Sequence, residues 1–142
     1  VLSNSRTWLH SEMEYAVPLD AGPDCLAAIR DLLRRDFPEM PFPIEYRTVA
    51  ADDVWLSVAY ERPTVTISLH MDAREDDEPL FRAAESLFTT FEGRPHWGKV
   101  HYRTGAEMAS LHPRWDDWWD ARDTLDPGGV FLNDALRRLR NG

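Results

Sequence analysis

Cysteine is almost absent from this sequence, because Cys25 is the single cysteine among 142 residues. One thiol cannot form a disulfide within the chain, and it cannot build a thiolate metal cluster from one chain. Long apolar runs are absent as well, since none approaches the roughly 18 residues that a membrane-spanning helix needs. The sequence therefore argues against a disulfide-stabilised scaffold and against a transmembrane helix.

Positive charge is also scarce. The 16 lysines and arginines face 25 aspartates and glutamates, which gives a formal net charge of −9. A general nucleic-acid-binding protein carries a basic face, so this balance argues against that class. Two glycine-dependent motifs are missing too: no G-x-S-x-G pattern of a serine hydrolase occurs, and "DPGG" does not follow a strand as a phosphate-binding loop would.

The composition that remains is that of a folded domain with a real core, at 43% hydrophobic and 29% charged residues. Six tryptophans are many for this length, and four of them lie after residue 96. The chain starts at Val1, and "VLSNSRTWLHSE" reads as mid-chain sequence. We therefore expect a piece of a longer protein.

Apolar periodicity predicts six elements in the first hundred residues. Strands are predicted at 13–17, 44–50, 64–71 and 95–102, and helices at 24–37 and around 78–91. Gly93 is a candidate C-terminal cap of the second helix. The order strand, helix, strand, strand, helix, strand is the ferredoxin-like βαββαβ plan. We therefore predict an α+β fold in which an antiparallel sheet carries both helices on one face.

The C-terminal part has a different pattern. Residues 108–125 are helical in pattern with a break at Pro113, "DPGG" predicts a turn, and a short helix ends the chain. We divide the chain into a domain at 1–103 and a helical tail at 104–142. The tail has too much apolar surface to leave in water, so it packs on the sheet or on a missing domain; this surface comprises Trp115, Trp118, Trp119, Phe131 and Leu132.

Strand alternation predicts a polar face opposite the helices. Glu45 and Arg47 point away from the apolar set of the second strand, and His70 does so in the third. In the fourth strand a bulge at Gly98 could reverse the alternation, so His96, Trp97, Lys99 and His101 stay unassigned between the two faces. This face is either a solvated surface or a site that combines a carboxylate, a guanidinium, an imidazole and an ammonium.

Metal ligation is a further alternative for these side chains. The candidate ligands are His96, His101, His112, Glu45 and Asp72. The spacing from His96 to His101 fits no zinc pattern, and no carboxylate stands at a matching helical step. The sequence therefore predicts no metal site.

Three segments resemble a known family: "GRPHWGKVH", "LDPGGVFLNDALRRL" and "IEYRTVAADDVWLSVAY". They are similar to the C-terminal part of the FAD-linked aldonolactone oxidases and alditol oxidases, which are flavoproteins of the vanillyl-alcohol-oxidase type. The resemblance implies a ferredoxin-like cap over the flavin and an FAD-binding domain that precedes Val1, to which the tail returns. It also implies that this chain alone neither binds FAD nor catalyses the reaction.

The resemblance also implies roles for individual residues. Glu45 and Arg47, in the E-x-R pair, would contact substrate hydroxyls, and Lys99, in the H-W-G-K motif, would lie beside the flavin and the reacting carbon. His96 would orient the site, and His70 would face the substrate at a position where a histidine departs from the family pattern. Arg47 and Lys99 are the expected catalytic residues, Glu45 and His70 bind substrate with them, and His96 and Lys99 contact the cofactor.

Within "RPHWGKVH" we expect Gly98 to permit close backbone approach to the flavin and Trp97 to pack. The expected partners are a sugar lactone or polyol, with the E-x-R segment favouring the polyol, and the protein's own FAD domain. The fragment could also form a homodimer. The resemblance implies a cytoplasmic location, with peripheral membrane association left open.

Two other classes of protein function remain as alternatives. A stand-alone ferredoxin-like module could use the polar face to bind a small ligand or a protein without catalysis. An RNA-binding sheet would need exposed aromatic side chains on its central strands and a basic surround. The strands offer Ser68, His70, Glu45 and Arg47 instead, so this class ranks last.

Overall fold

The computed structural model describes residues 9–40 and 42–141. Its strands are β1 (His10–Pro18), β2 (Glu45–Val49), β3 (Thr64–Asp72) and β4 (Arg94–Pro95). Its helices are α1 (Gly22–Asp36), α2 (Glu78–Thr90), α3 (Gly105–Leu111), α4 (Trp115–Leu125) and α5 (Asp134–Asn141). The predicted α+β class and the order of the elements are confirmed. The first eight residues of the predicted 1–103 domain lie outside the described residues.

The four strands form one open antiparallel sheet in the order β2-β3-β1-β4. The pairing of β1 with β3 is the longest, because it runs from His10 opposite Asp72 to Pro18 opposite Thr64. Polar residues alternate with apolar residues along both central strands. This alternation divides the sheet into an apolar face and a polar face.

The apolar face packs against α1 and α2. Tyr15 and Ile67 lie opposite each other in the register and are fully buried, and the Tyr15 ring stacks on Phe88 of α2 with 4.8 Å between ring centroids. Burial of a large apolar side chain stabilises a fold by about 1.5–3 kcal/mol. The rest of this core comprises Met13, Val17, Cys25, Ile29, Leu32, Leu33, Val65, Leu69, Leu80, Phe81 and Ala84.

The end of α2 corrects the predicted role of Gly93. The residue in the left-handed region is Glu92, at φ 54°. The N–H of Gly93 donates to the Phe88 carbonyl at 2.9 Å, and that of Glu92 to Thr89 at 3.2 Å, which is a Schellman ending. Gly93 is fixed by packing instead, since a Cβ there would lie 2.8 Å from the Phe88 oxygen and 2.9 Å from Tyr15 Cδ1.

The predicted fourth strand at 95–102 is wrong, because β4 contains two residues. Tyr15 pairs with Pro95, and continuation of that register would set Gly98 opposite Glu12. Instead the N–H of Val100 reaches the Glu12 carbonyl at 2.9 Å, while the N–H of Lys99 donates to the His96 carbonyl at 3.1 Å. Two extra residues are therefore accommodated in a turn, and this turn carries Lys99.

The tail helices form a second small core. It comprises Met108, Trp115, Trp119 and Leu139, with Trp97, Trp118, Leu132 and Leu136 packed against it. Trp97 and Trp115 stack with 5.5 Å between ring centroids. Trp97 and the three tryptophans of α4 thus pack within the chain, whereas Phe131 is 82% exposed. Within the described ranges, no helix is both long enough and apolar enough to cross a bilayer.

Candidate functional site

The strand register confirms the predicted alternation on the polar face. Glu45 lies opposite Ser68, and Ser68 lies opposite Glu14 on its other side. Glu12 and His70 form the next pair along the same two strands. The polar face therefore includes His10, Glu12, Glu14, Glu45, Arg47, Thr66, Ser68 and His70.

Glu14 is the centre of this face. Its Oε2 accepts hydrogen bonds from Lys99 Nζ at 2.5 Å, from Arg47 Nη2 at 2.7 Å and from Ser68 Oγ at 2.8 Å. Its side chain is 8% exposed. Charge-assisted hydrogen bonds of this kind are about twice as strong as neutral ones. One buried carboxylate therefore holds both cations that the sequence singled out.

Lys99 reaches the face from the turn after β4. Its ammonium also pairs with Glu12, and its side chain is 19% exposed. The turn is held by His96, whose Nδ1 accepts the N–H of Gly98 at 3.0 Å. His96 is itself exposed. In this chain His96 thus shapes the turn that presents Lys99.

The two central charged groups keep their charges at neutral pH. Burial alone would raise the pKa of Glu14, but the hydrogen bonds from Lys99 and Ser68 and the nearby positive charges outweigh it, so this pKa lies below its usual value. Burial alone would lower the pKa of Lys99, but its bonds to Glu12 and Glu14 outweigh that effect and raise it. The pair is therefore an ion pair.

Arg47 lies at the outer edge of the polar face. Its side chain is 53% exposed, and its distance of 3.4 Å to Glu45 joins two half-exposed groups. Such a pair contributes little stability. Glu14 rather than Glu45 is therefore the main anchor of Arg47. The guanidinium has five N–H donors, which leaves several for a ligand.

His70 lies at the other end of the polar face. Its Nε2 is 3.4 Å from Glu12 Oε1, and its side chain is 12% exposed. The His10 ring stands edge-on to the His70 ring with 5.2 Å between centroids. His70 is thus close to the group that pairs with Lys99, while Arg47 lies opposite Thr66, four residues from His70 along β3.

The metal ligands considered from the sequence do not converge among the described residues. His112 is 1% exposed and packs on Trp97, and burial lowers its pKa to about 4. Asp72 pairs with Arg74. A different set does converge: ligand atoms of His10, Glu12 and His70 all lie within 4.8 Å of one another.

The sequence reasoning missed Glu12 and Glu14, which supply the negative charge of the face. The alternation of polar and apolar residues, which assigned Glu45 and Arg47 to the polar face, could also have identified Glu12 and Glu14. Polar residues at 10, 12 and 14 alternate with the buried residues at 13, 15 and 17. The strand was predicted to begin at residue 13, so Glu12 was not included in the predicted alternation.

A cleft of about 840 Å³ borders the turn that carries Lys99. Its lining includes Trp97, Gly98, Lys99, Arg103, Asn133 and Arg138. The backbone of Gly98 does not require glycine, since a Cβ there would lie 3.4 Å from the nearest atom, His96 Cε1. The exposed side of Gly98 is therefore open to a group from outside the chain.

The motif segments lie within a longer region that matches known proteins. The sequence model of the D-arabinono-1,4-lactone oxidase family matches residues 1–139. The chain belongs to this family. The resemblance inferred from the H-W-G-K and E-x-R segments is thereby confirmed.

Three proteins of described function match most of this chain. It is 45% identical to an L-gulono-1,4-lactone dehydrogenase of Mycobacterium tuberculosis over 98% of its length. It is 36% identical to an alditol oxidase of a Streptomyces species over 92%, and 29% identical to the L-gulonolactone oxidase of Mus musculus over 89%. The chain spans 32%, 32% and 30% of the lengths of these three relatives.

Proposed function

We propose that this chain is the C-terminal part of an FAD-dependent oxidoreductase that oxidises a CH–OH group of a sugar lactone or an alditol. The observation that carries the proposal is the pair of cations, Arg47 and Lys99, held by the one carboxylate of Glu14. Family membership supports the reaction class. The FAD is held mainly by a domain outside this chain.

We also propose a ferredoxin-like cap at 1–103 and a tail at 104–142 that contacts the FAD domain. The strand order β2-β3-β1-β4 with two helices on the apolar face supports the cap. Val130 and Phe131 of the tail are 81% and 82% exposed, and adjacent exposed apolar side chains mark an interaction surface.

We propose that the flat ring system of FAD lies in the cleft beside Gly98. Gly98 leaves the backbone accessible, and Lys99 lies on the same turn. When bound, FAD supplies the acceptor for the hydride that leaves the substrate carbon. Lys99 lines this cleft, and His96 holds the turn that borders it, so we propose both as residues near the flavin.

Arg47 and Lys99 act on the substrate oxygen. Oxidation of an alcohol removes a hydride from carbon, which passes to the flavin, and a proton from the hydroxyl, which passes to solvent, so negative charge develops on oxygen as the proton leaves. Fixed cations stabilise that charge without reorganisation. Glu14 is a positioning residue rather than the base, since it already accepts three hydrogen bonds and its pKa is lowered.

Substrate hydroxyls are proposed to bind at the two ends of the polar face. Glu45 is half-exposed and can accept a hydroxyl hydrogen bond near Arg47. His70, near Glu12, can contact the other end of a chain of hydroxyls. The relative of higher identity is named for a lactone, at 45% against 36% for the alditol oxidase, so we test lactones first.

The test uses the intact protein encoded by the full open reading frame. Anaerobic bleaching of the flavin absorbance is followed with L-gulono-1,4-lactone, a galactono-lactone, xylitol and sorbitol, so that the natural electron acceptor does not matter. Arg47→Ala and Lys99→Ala are each compared with Arg34→Ala, which removes an exposed arginine of α1.

We expect a yellow protein that a lactone or polyol bleaches. Either site variant should keep its flavin and reduce it at least ~100-fold more slowly, the effect of losing one fixed donor at a developing negative charge. A colourless protein would reject the flavin assignment and favour a binding module. Equal rates of flavin reduction in all variants would show that Arg47 and Lys99 have no catalytic role.

A further inference from the structure

Three side chains of metal-binding type meet at one end of the polar face. His10 and Glu12 are two residues apart on β1 and therefore point to the same side of the sheet. Glu12 lies directly opposite His70 of β3. Ligand atoms of the three residues all lie within 4.8 Å of one another.

The distances are close to those of a bound ion. A zinc ion held about 2.1 Å from each ligand atom keeps those atoms roughly 3.4 Å apart in a tetrahedral site. The separation of His70 Nε2 from Glu12 Oε1 is already 3.4 Å. The His10 and His70 rings are in edge contact at 5.2 Å, so a small rotation of side chains completes the set.

Burial also suits a ligand site. The side chains of His70 and Glu12 are 12% and 22% exposed, so they are largely shielded but still reachable. His70 Nδ1 is buried and has no hydrogen-bond partner among the described residues. Metal ligation through Nδ1 would therefore break no hydrogen bond among the described residues.

We propose that His10, Glu12 and His70 bind a divalent transition-metal cation. Two imidazoles and one carboxylate are a ligand set that zinc uses when a fourth position stays open. The set differs from the histidines and acids weighed from the sequence, because strand pairing rather than sequence spacing brings it together.

The ion competes with Lys99. Lys99 Nζ pairs with Glu12 as well as with Glu14, so an ion at this site takes over the carboxylate that Lys99 now shares. Metal binding and the ammonium position are thus linked through Glu12. The metal site does not require the proposed oxidation, although it would disturb that reaction by displacing Lys99.

The test is isothermal titration of Zn²⁺ into the intact protein, with unfolding curves recorded for each variant. We expect one ion per chain. His10→Asn and His70→Asn should each weaken binding at least ~100-fold, while His101→Asn, which removes a histidine outside the trio, should change it less than ~3-fold. Lys99→Met should tighten binding, because it removes the competing cation.

The Lys99→Met variant protects the test from folding artefacts, because misfolding does not tighten a specific site. Absence of a one-to-one binding heat would overturn the proposal. Equal affinity in wild type, His10→Asn and His70→Asn would overturn it too, as would weaker binding in Lys99→Met. None of these readouts depends on flavin or on turnover, so failure here is distinguishable from failure of the oxidase proposal.

Discussion

Glu14 and Lys99 are 85 residues apart in the chain, yet Lys99 Nζ lies 2.5 Å from Glu14 Oε2. Glu14 comes from the central strand β1, and Lys99 comes from a turn that follows the last strand. Both side chains are largely buried, at 8% and 19% exposure. This contact ties the H-W-G-K turn to the centre of the sheet, and it gives Arg47 and Lys99 a common anchor.

The first prediction concerns the energy of that anchor. Glu14→Gln should lower the free energy of unfolding by about 1–3 kcal/mol, because hydrogen bonds to a charged group are lost. In double-mutant cycles, Glu14 should couple more strongly to Lys99 than to Arg47, since the Arg47 side chain is 53% exposed and water screens its charge. Urea unfolding measures both cycles, with Lys99→Met and Arg47→Met as partners. Equal coupling energies would contradict the central position of the Lys99 contact.

The second prediction separates two glycines of neighbouring segments. Gly93→Ala should destabilise the chain by about 2 kcal/mol or more, because the new methyl group meets the Phe88 oxygen at 2.8 Å. Gly98→Ala should change stability by less than about 0.5 kcal/mol, because its nearest contact is 3.4 Å. In the intact protein Gly98→Ala should instead slow flavin reduction. Thermal unfolding and anaerobic flavin reduction report the two effects, and a Gly98→Ala protein with full reduction rate would argue against flavin contact there.

The third prediction concerns pH and His112. Burial, with the charges of Arg94 and Arg62, lowers the pKa of His112 to about 4, against an ordinary value of 6.5. Below pH 6.5 the unfolded chain binds a proton that the folded chain refuses, so stability falls as the pH drops from 6.5 towards 4, by about 3 kcal/mol in all.

His112→Leu tests this linkage, because leucine suits a buried position and does not titrate. Neither ring nitrogen of His112 has a hydrogen-bond partner among the described residues, so the variant should be at least as stable at pH 7. Its advantage over wild type should grow as the pH falls to 4.5. Urea unfolding at four pH values measures the difference. A constant difference would show that His112 does not cause the acid sensitivity.

The fourth prediction concerns the end of α2. Glu92 adopts φ 54°, a conformation that costs a residue with a Cβ about 1–2 kcal/mol. Glu92→Gly should therefore stabilise the chain by about 0.5–1 kcal/mol, after the greater freedom of glycine in the unfolded state is subtracted. Glu92→Ala keeps the Cβ and is the matched control, with no gain expected. Chemical denaturation decides between the two, and equal effects would exclude backbone strain as the cause.

Local periodicity of apolar residues was enough to predict most of the strands and helices. The alternation in "TVTISLHM" and the apolar spacing in α1 and α2 follow from the geometry of one strand or one helix, and Pro38 ends the region of α1 on steric grounds. The same alternation correctly assigned Glu45 and Arg47 to the polar face. These features depend on residues that are close in sequence, so they can be predicted from the sequence alone.

Tertiary structure decided the position of Lys99 and the composition of the site. The turn holds two extra residues between the contacts of His96 and Val100 with β1, and Trp97 within it packs on Trp115 of α4. Glu14 became the anchor because β1 is the strand to which both β3 and the turn attach. The trio of His10, Glu12 and His70 likewise exists only through the β1–β3 register. Sequence alone determined which side chains share a face within β2 and β3, because the alternation of a single strand fixes that, whereas contacts between strands determined which charges meet.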